Sequence, residues 1–149
     1  MTDTVAVAAD HGGYDLKCAL LPELEALGFG VLDLGTDGRQ SVDYPDFADA
    51  VARAVEDGRA RWGLLACGTG IGMSMAANRH RGVRAALVHD GLTARLARQH
   101  NDANVLVLGG RILGPELAKE CLRVFFSTPF EGGRHARRVE KFSPAKAKA

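Results

Sequence analysis

Short apolar runs alternate with helix-spaced stripes along almost the whole chain, and this alternation restricts the fold more than any other feature. Thr4–Ala9 (TVAVAA), Gly30–Leu34, Trp62–Cys67, Val83–Val88 and Asn104–Leu108 are the predicted strands. Most are apolar on both faces, as strands are in a parallel sheet covered by helices on each side. Between them, Leu16, Leu20, Leu24 and Leu27 form one helical stripe, with Pro22 expected to kink or shorten its helix. Phe47, Val51, Ala54 and Val55 form a second, opened by Pro45 and Asp46 and closed by Gly58. Leu92 and Leu96 mark a helix before the fifth strand, and Leu117, Cys121, Val124 and Phe125 mark another that starts at Pro115. The pattern predicts an α/β chain: a three-layer α/β/α sandwich on a five-stranded parallel sheet, Rossmann-like. The 149 residues suit a single domain, placed at 1–142, with 143–149 as a flexible basic tail.

Charge narrows the function classes. Nineteen Lys/Arg nearly balance eighteen Asp/Glu, but residues 1–131 carry a net −4 and residues 132–149 a net +5. A basic end on an acidic body suggests an anionic partner. No apolar run approaches the ~20 residues of a membrane span. The first residues lack the basic and apolar regions of a signal peptide, so a cytoplasmic protein is expected. Cys18, Cys67 and Cys121 are odd in number and widely spaced, which argues against a disulfide framework or a structural zinc site. Cys18 and Cys121 fall within helices and are read as packing residues. No aromatic interleaving or zinc pattern supports nucleic-acid binding.

In open α/β sheets, ligands bind beyond the carboxyl ends of the strands, so the residues after each strand carry most of the functional signal. After the first come Asp10-His11-Gly12-Gly13, where Asp10 is either a helix cap or a functional acid. After the third comes Cys67-Gly68-Thr69-Gly70-Ile71-Gly72, leading into a helix expected at Met73–Arg79. Glycines beside a helix N-terminus make an anion-seeking nest of N–H donors. The same partial positive charge favours a thiolate, a usable base or nucleophile. The loop also imitates a dinucleotide fingerprint, with Asp90 at the expected spacing, but Met73 stands where the third glycine belongs. Around the fifth strand lie His100-Asn101-Asp102 and Gly109-Gly110-Arg111, where a histidine at a helix end can move protons near neutral pH. On the last helix, Arg134, Arg138 and Lys141 share one stripe and His135, Val139 and Phe142 another, so a docked helix presents its arginines. Arginine forks suit a phosphate dianion.

Taken in order, these pieces resemble the type B ribose-5-phosphate isomerases and the related galactose-6-phosphate isomerase subunits. The strings that carry the resemblance include Ala9-Asp10-His11-Gly12-Gly13, Asp43-Tyr44-Pro45, Cys67–Gly72, Arg98-Gln99-His100-Asn101-Asp102, Gly109-Gly110-Arg111 and Glu131-Gly132-Gly133-Arg134-His135. The resemblance implies an aldose–ketose isomerase of a phosphorylated sugar that works through a cis-enediolate without metal or cofactor. It implies Cys67 as the base; some members use a glutamate on the following helix, where this chain has Met73. It further implies that the N–H groups of Gly68, Thr69, Gly70, Ile71 and Gly72 hold the enediolate and that the Thr69 hydroxyl meets the shuttling oxygens. His100 with Asp10 would open the sugar ring, and Asn101 and Tyr44 would position hydroxyls. His11, Arg111, Arg134 and Arg138 would grip the phosphate. Homodimers or homotetramers with shared sites are implied, His100, Asn101 and Arg111 meeting a neighbour's Cys67, with no role for nucleic acid or membrane. Two alternatives stand beside ribose 5-phosphate: a tetrose, allose or galactose phosphate as substrate, and a Rossmann- or flavodoxin-like nucleotide-binding module.

Overall fold

The computed structural model describes residues 3–144. Its elements are β1 (Thr4–Ala9), α1 (Tyr14–Ala26), β2 (Gly30–Asp33), α2 (Tyr44–Glu56), β3 (Trp62–Cys67), α3 (Ile71–Ala77), β4 (Ala85–Leu87), α4 (Gly91–Gln99), β5 (Val105–Gly109), α5 (Pro115–Ser127) and α6 (Arg134–Phe142). All strand pairs are parallel, in the order β2-β1-β3-β5-β4, with Leu64 of β3 registered between Val7 and Leu106. The three-layer α/β/α sandwich on a five-stranded parallel sheet is therefore observed. β1, β3 and β5 are buried almost throughout, while the edge strands β2 and β4 are only half-buried.

Alternation along each central strand divides the core in two. Val5, Val7 and Ala9 point to one layer with Leu16, Leu20 and Leu24 of α1, Ala94 and Ala97 of α4, and Leu122 and Phe125 of α5. Ala6, Ala8 and Cys67 belong to the other, with Ala48, Val51 and Ala52 of α2 and Met73 and Ala77 of α3. Each fully buried leucine, such as Leu20, Leu24 or Leu122, contributes roughly 1.5–3 kcal/mol relative to exposure.

Several local expectations are corrected. α1 runs through Pro22 without a break. Proline removes the N–H that would bond the Cys18 carbonyl, but Pro22 and Cys18 are both exposed, so water can serve that carbonyl. Cys18 is consequently not a packing residue, whereas Cys121 is buried. The ends of the leucine stripes also turn outward: Leu27, Leu92 and Leu117 are exposed. Alanines at 94, 97 and 118 are buried in place of larger residues, in the layer where α4 packs against α5. The helix after β3 starts at Ile71, two residues earlier than expected. Ser143 is tied back, its Oγ accepting a hydrogen bond from Arg84 Nη1 at 3.3 Å; Lys146 and Lys148 lie outside the described residues.

β1 connects to β2 on one side and β3 lies on its other side, so the strand order reverses between β1 and β3. A crevice opens at the carboxyl ends of two strands that feed in opposite directions. Asp10 and Cys67 stand at those two ends.

Candidate active site

The Asp10 carboxylate, 8% exposed, shapes the loop after β1: its Oδ1 accepts the N–H groups of Gly12 (2.9 Å) and Gly13 (3.1 Å). It does not cap α1, whose N-cap is Gly13. Gly13 is pressed against the backbone of Ala66, leaving no room for a Cβ, and this contact brings the β1 and β3 loops together. His11 Nδ1 accepts the Val42 N–H at 3.2 Å. In the neutral ring that bond leaves the proton on Nε2.

The Cys67 thiol is held by the loop that follows it. Sγ accepts the Gly70 N–H at 3.1 Å, and Thr69 Oγ1 accepts the Ile71 N–H at 3.2 Å. Gly70 forms the N-cap of α3 with φ +82°, a conformation that L side chains rarely adopt. Two of the five loop amides are thus spent inside the loop. Those of Gly68, Thr69 and Gly72 have no hydrogen-bond partner among the described residues. At Gly72 the missing Cβ makes way for the Tyr44 ring, which packs over that position from the start of α2. The Arg111 guanidinium lies against Gly68, and Arg111 N–H donates to Gly68 O at 2.8 Å. Arg111 therefore meets the glycine loop of its own chain. A hollow of about 410 Å³ lined by Asp10, Val42, Tyr44 and Pro45 opens beside this group.

His100 and Asn101 are elsewhere. α4 starts beyond the carboxyl end of β4 and returns along the sheet, so its C-cap His100 sits at the amino edge, before β5 begins. Four residue steps separate Val105 from Gly109, roughly 13 Å of strand, and Cys67 is registered with Gly109. One chain thus does not bring His100 to Cys67. At the amino edge a separate cavity of about 450 Å³ includes Asn101, Asn78, Arg81, Arg84 and Phe142 in its walls.

Arg98, a residue for which the sequence suggested no role, fixes this corner. Its buried guanidinium donates to Ala103 O (2.6 Å), Asp102 Oδ1 (3.0 Å) and Thr128 O (3.1 Å), and stacks over Trp62. The His100 ring lies parallel to His135 with centroids 4.2 Å apart. His135 is buried on α6, with Nε2 3.6 Å from Glu131 Oε2. Burial, then the neighbouring His100 and the Arg134 guanidinium, hold the His135 imidazole below its usual range; Glu131 opposes them, and Arg138 adds to the lowering. α6 therefore docks through His135 and Val139 as expected, but Phe142 is 58% exposed. Arg134 and Arg138 are exposed on the same helix.

Asp90 is accounted for locally. It caps α4, with Oδ1 accepting the Thr93 N–H at 2.7 Å in a reciprocal capping box, so its spacing from the glycine loop carries no dinucleotide signature. No helix among the described residues is long and apolar enough to cross a membrane.

A thiol, a carboxylate and unpartnered amides at the switch point of a parallel α/β sheet define a site for acid–base chemistry on an anionic ligand. The family model described as Ribose/Galactose Isomerase matches residues 5–142. A putative sugar phosphate isomerase of Bacillus subtilis is 46% identical over 140 residues, covering 93% of this chain and 94% of that protein. A D-erythrulose-4-phosphate isomerase of Pectobacterium atrosepticum is 44% identical over 140 residues, 93% and 91% of the two chains. The crystal structure of a ribose 5-phosphate isomerase from Thermotoga maritima superimposes with a TM-score of 0.93 at 48% identity, covering 97% of this chain and all of that one. The chain is a sugar-phosphate isomerase. It belongs to the ribose/galactose isomerase family, among the type B ribose-5-phosphate isomerases and their relatives.

Proposed function

We propose that the protein interconverts ribose 5-phosphate and ribulose 5-phosphate, with Cys67 as the base. The observation that carries this reading is the Cys67 Sγ held at 3.1 Å by the Gly70 N–H, beside the unpartnered amides of Gly68, Thr69 and Gly72. In the thiolate form Cys67 takes the proton from C2 of the open-chain aldose. The electrons move into the C1 carbonyl, giving a cis-enediolate; the hydroxyl proton on O2 passes to O1, and the thiol returns its proton to C1 as the C2 carbonyl forms. The three amides and the Thr69 hydroxyl stabilise the developing oxyanion. His11 and Arg111, together with Arg134 and Arg138, hold the phosphate. Tyr44 and Asn101 position hydroxyls, and His100 with Asp10 opens the ring.

The separation of His100 from Cys67 by the height of the sheet supports a site completed by a second copy of the chain. In that arrangement one copy supplies Asp10, Tyr44 and Cys67, and the other His100 and Asn101. The exposed Phe142 and Met75 supply apolar surface for such a dimer or a larger homo-oligomer.

Replacing Cys67 with alanine is expected to lower kcat by roughly 10²–10⁴-fold, the usual worth of a positioned general base, while substrate binding persists. Wild-type turnover by Cys67→Ala would remove the mechanism. The relative that acts on D-erythrulose 4-phosphate favours a second reading, a four-carbon substrate. Comparing kcat/KM for four-, five- and six-carbon sugar phosphates separates the two.

A further inference from the structure

The residues around His100 form a donor set that the isomerase scheme does not use. His100, Glu131 and His135 each offer one ligand atom, and these atoms lie within 4.8 Å of one another. Two imidazoles and a carboxylate with an open fourth position are a donor set that takes zinc. We propose that this corner is a divalent-cation site whose occupation by Zn²⁺ inhibits the enzyme by sequestering His100.

The three ligands come from parts of the fold with different freedom. His135 is buried on α6. His100 is anchored from below, because Arg98 secures the turn that follows it. Glu131 is half exposed on the connection between α5 and α6, where its N–H donates to Gln99 O at 3.1 Å, so this connection is already tied to the end of α4. Donors about 2.1 Å from a tetrahedral zinc stand about 3.4 Å apart, so binding requires the group to contract. The Glu131 side chain is free to move for this, and because the two rings are stacked only 13° from parallel, the half-buried His100 ring must turn out of the stack for both lone pairs to meet one ion. Arg134 and Arg138 act against a dication, and the Glu131 carboxylate offsets them. The metal has no part in the reaction: a ligated His100 cannot exchange a proton with the sugar ring. This inhibitory half rests on the ring-opening role proposed for His100; the binding half does not.

The test titrates tag-free protein with Zn²⁺ by calorimetry, and with Co²⁺ followed by visible absorption, in wild type, Glu131→Gln and Cys67→Ala. Glu131 has no part in the proposed isomerisation, so Glu131→Gln should keep basal turnover. The expected result is binding shared by wild type and Cys67→Ala, a Co²⁺ spectrum without thiolate charge transfer, and affinity at least roughly tenfold weaker in Glu131→Gln. Wild-type turnover should fall with Zn²⁺ and return with a chelator, and Glu131→Gln should resist. Equal affinity in Glu131→Gln, or binding that disappears with Cys67, would overturn the site. Binding at the site without loss of turnover overturns the inhibitory claim and counts against His100 as the ring-opening residue, while the site itself stands.

Discussion

His135 shows how far one side chain depends on neighbours remote in sequence. Its spacing to Val139 marks a buried stripe, and both residues are buried. Nothing in the spacing announces the His100 ring stacked on it or the carboxylate of Glu131 beside it. Because its folded-state pKa lies below the ordinary value of 6.5, the unfolded chain takes up this proton first as pH falls. Stability should therefore decline with acidification through the window beginning near 6.5 and level off below the folded-state value. Thermal midpoints of wild type and His135→Gln, compared from about pH 8 to about pH 5, should differ by a constant amount at the upper end and converge below 6.5. Parallel curves would show that His135 does not titrate in this window. Cys67 presents the opposite case: strand end, thiol and glycine loop are adjacent in sequence, so the contact of Gly70 N–H with Sγ is local and the site is readable there.

Among the elements, α4 links stability to the site. It is opened by the Asp90–Thr93 capping box and ends on His100. The Asp90 carboxyl is held below its ordinary value by the Thr93 backbone and side-chain bonds. Removing the cap with Asp90→Ala should lower the thermal midpoint by roughly 2–4 °C. Because Arg98 secures the other end of α4 independently, kcat should stay near wild type. A large fall in kcat with an unchanged midpoint would contradict this division of labour. Helix existence was legible from apolar spacing, but helix depth was not. The structure buries Ala94, Ala97 and Ala118 and leaves Leu92 and Leu117 outside, because the packing of α4 against α5 decides which face of each helix turns inward. Pro22 was misleading for a related reason, since its cost falls on a carbonyl that water can reach.

For the whole molecule, the decisive geometry is the height of the sheet between Cys67 and His100. If the proposed active site joins two copies, Cys67→Ala and His100→Ala proteins, each nearly inactive, should regain activity when unfolded together and reassembled. A hybrid dimer holds one intact site and one doubly altered site. Random pairing at equal amounts then returns roughly a quarter of wild-type activity. No recovery, although hybrids form, would place the complete site within one chain. The alternation of apolar runs and helical stripes by itself determined the parallel three-layer fold, since strands buried on both faces require helices on both sides. The sequence also placed Asp10, Cys67 and the glycine loop at strand ends, because these neighbours in space are neighbours along the chain. Only the tertiary structure decided that Arg111 returns to its own glycine loop and that Asp90 is a helix cap. It alone placed His100 with His135 and Glu131 at the opposite edge. Strand order and the return path of α4 set those distances, and both arise from long-range packing that residue spacing does not encode.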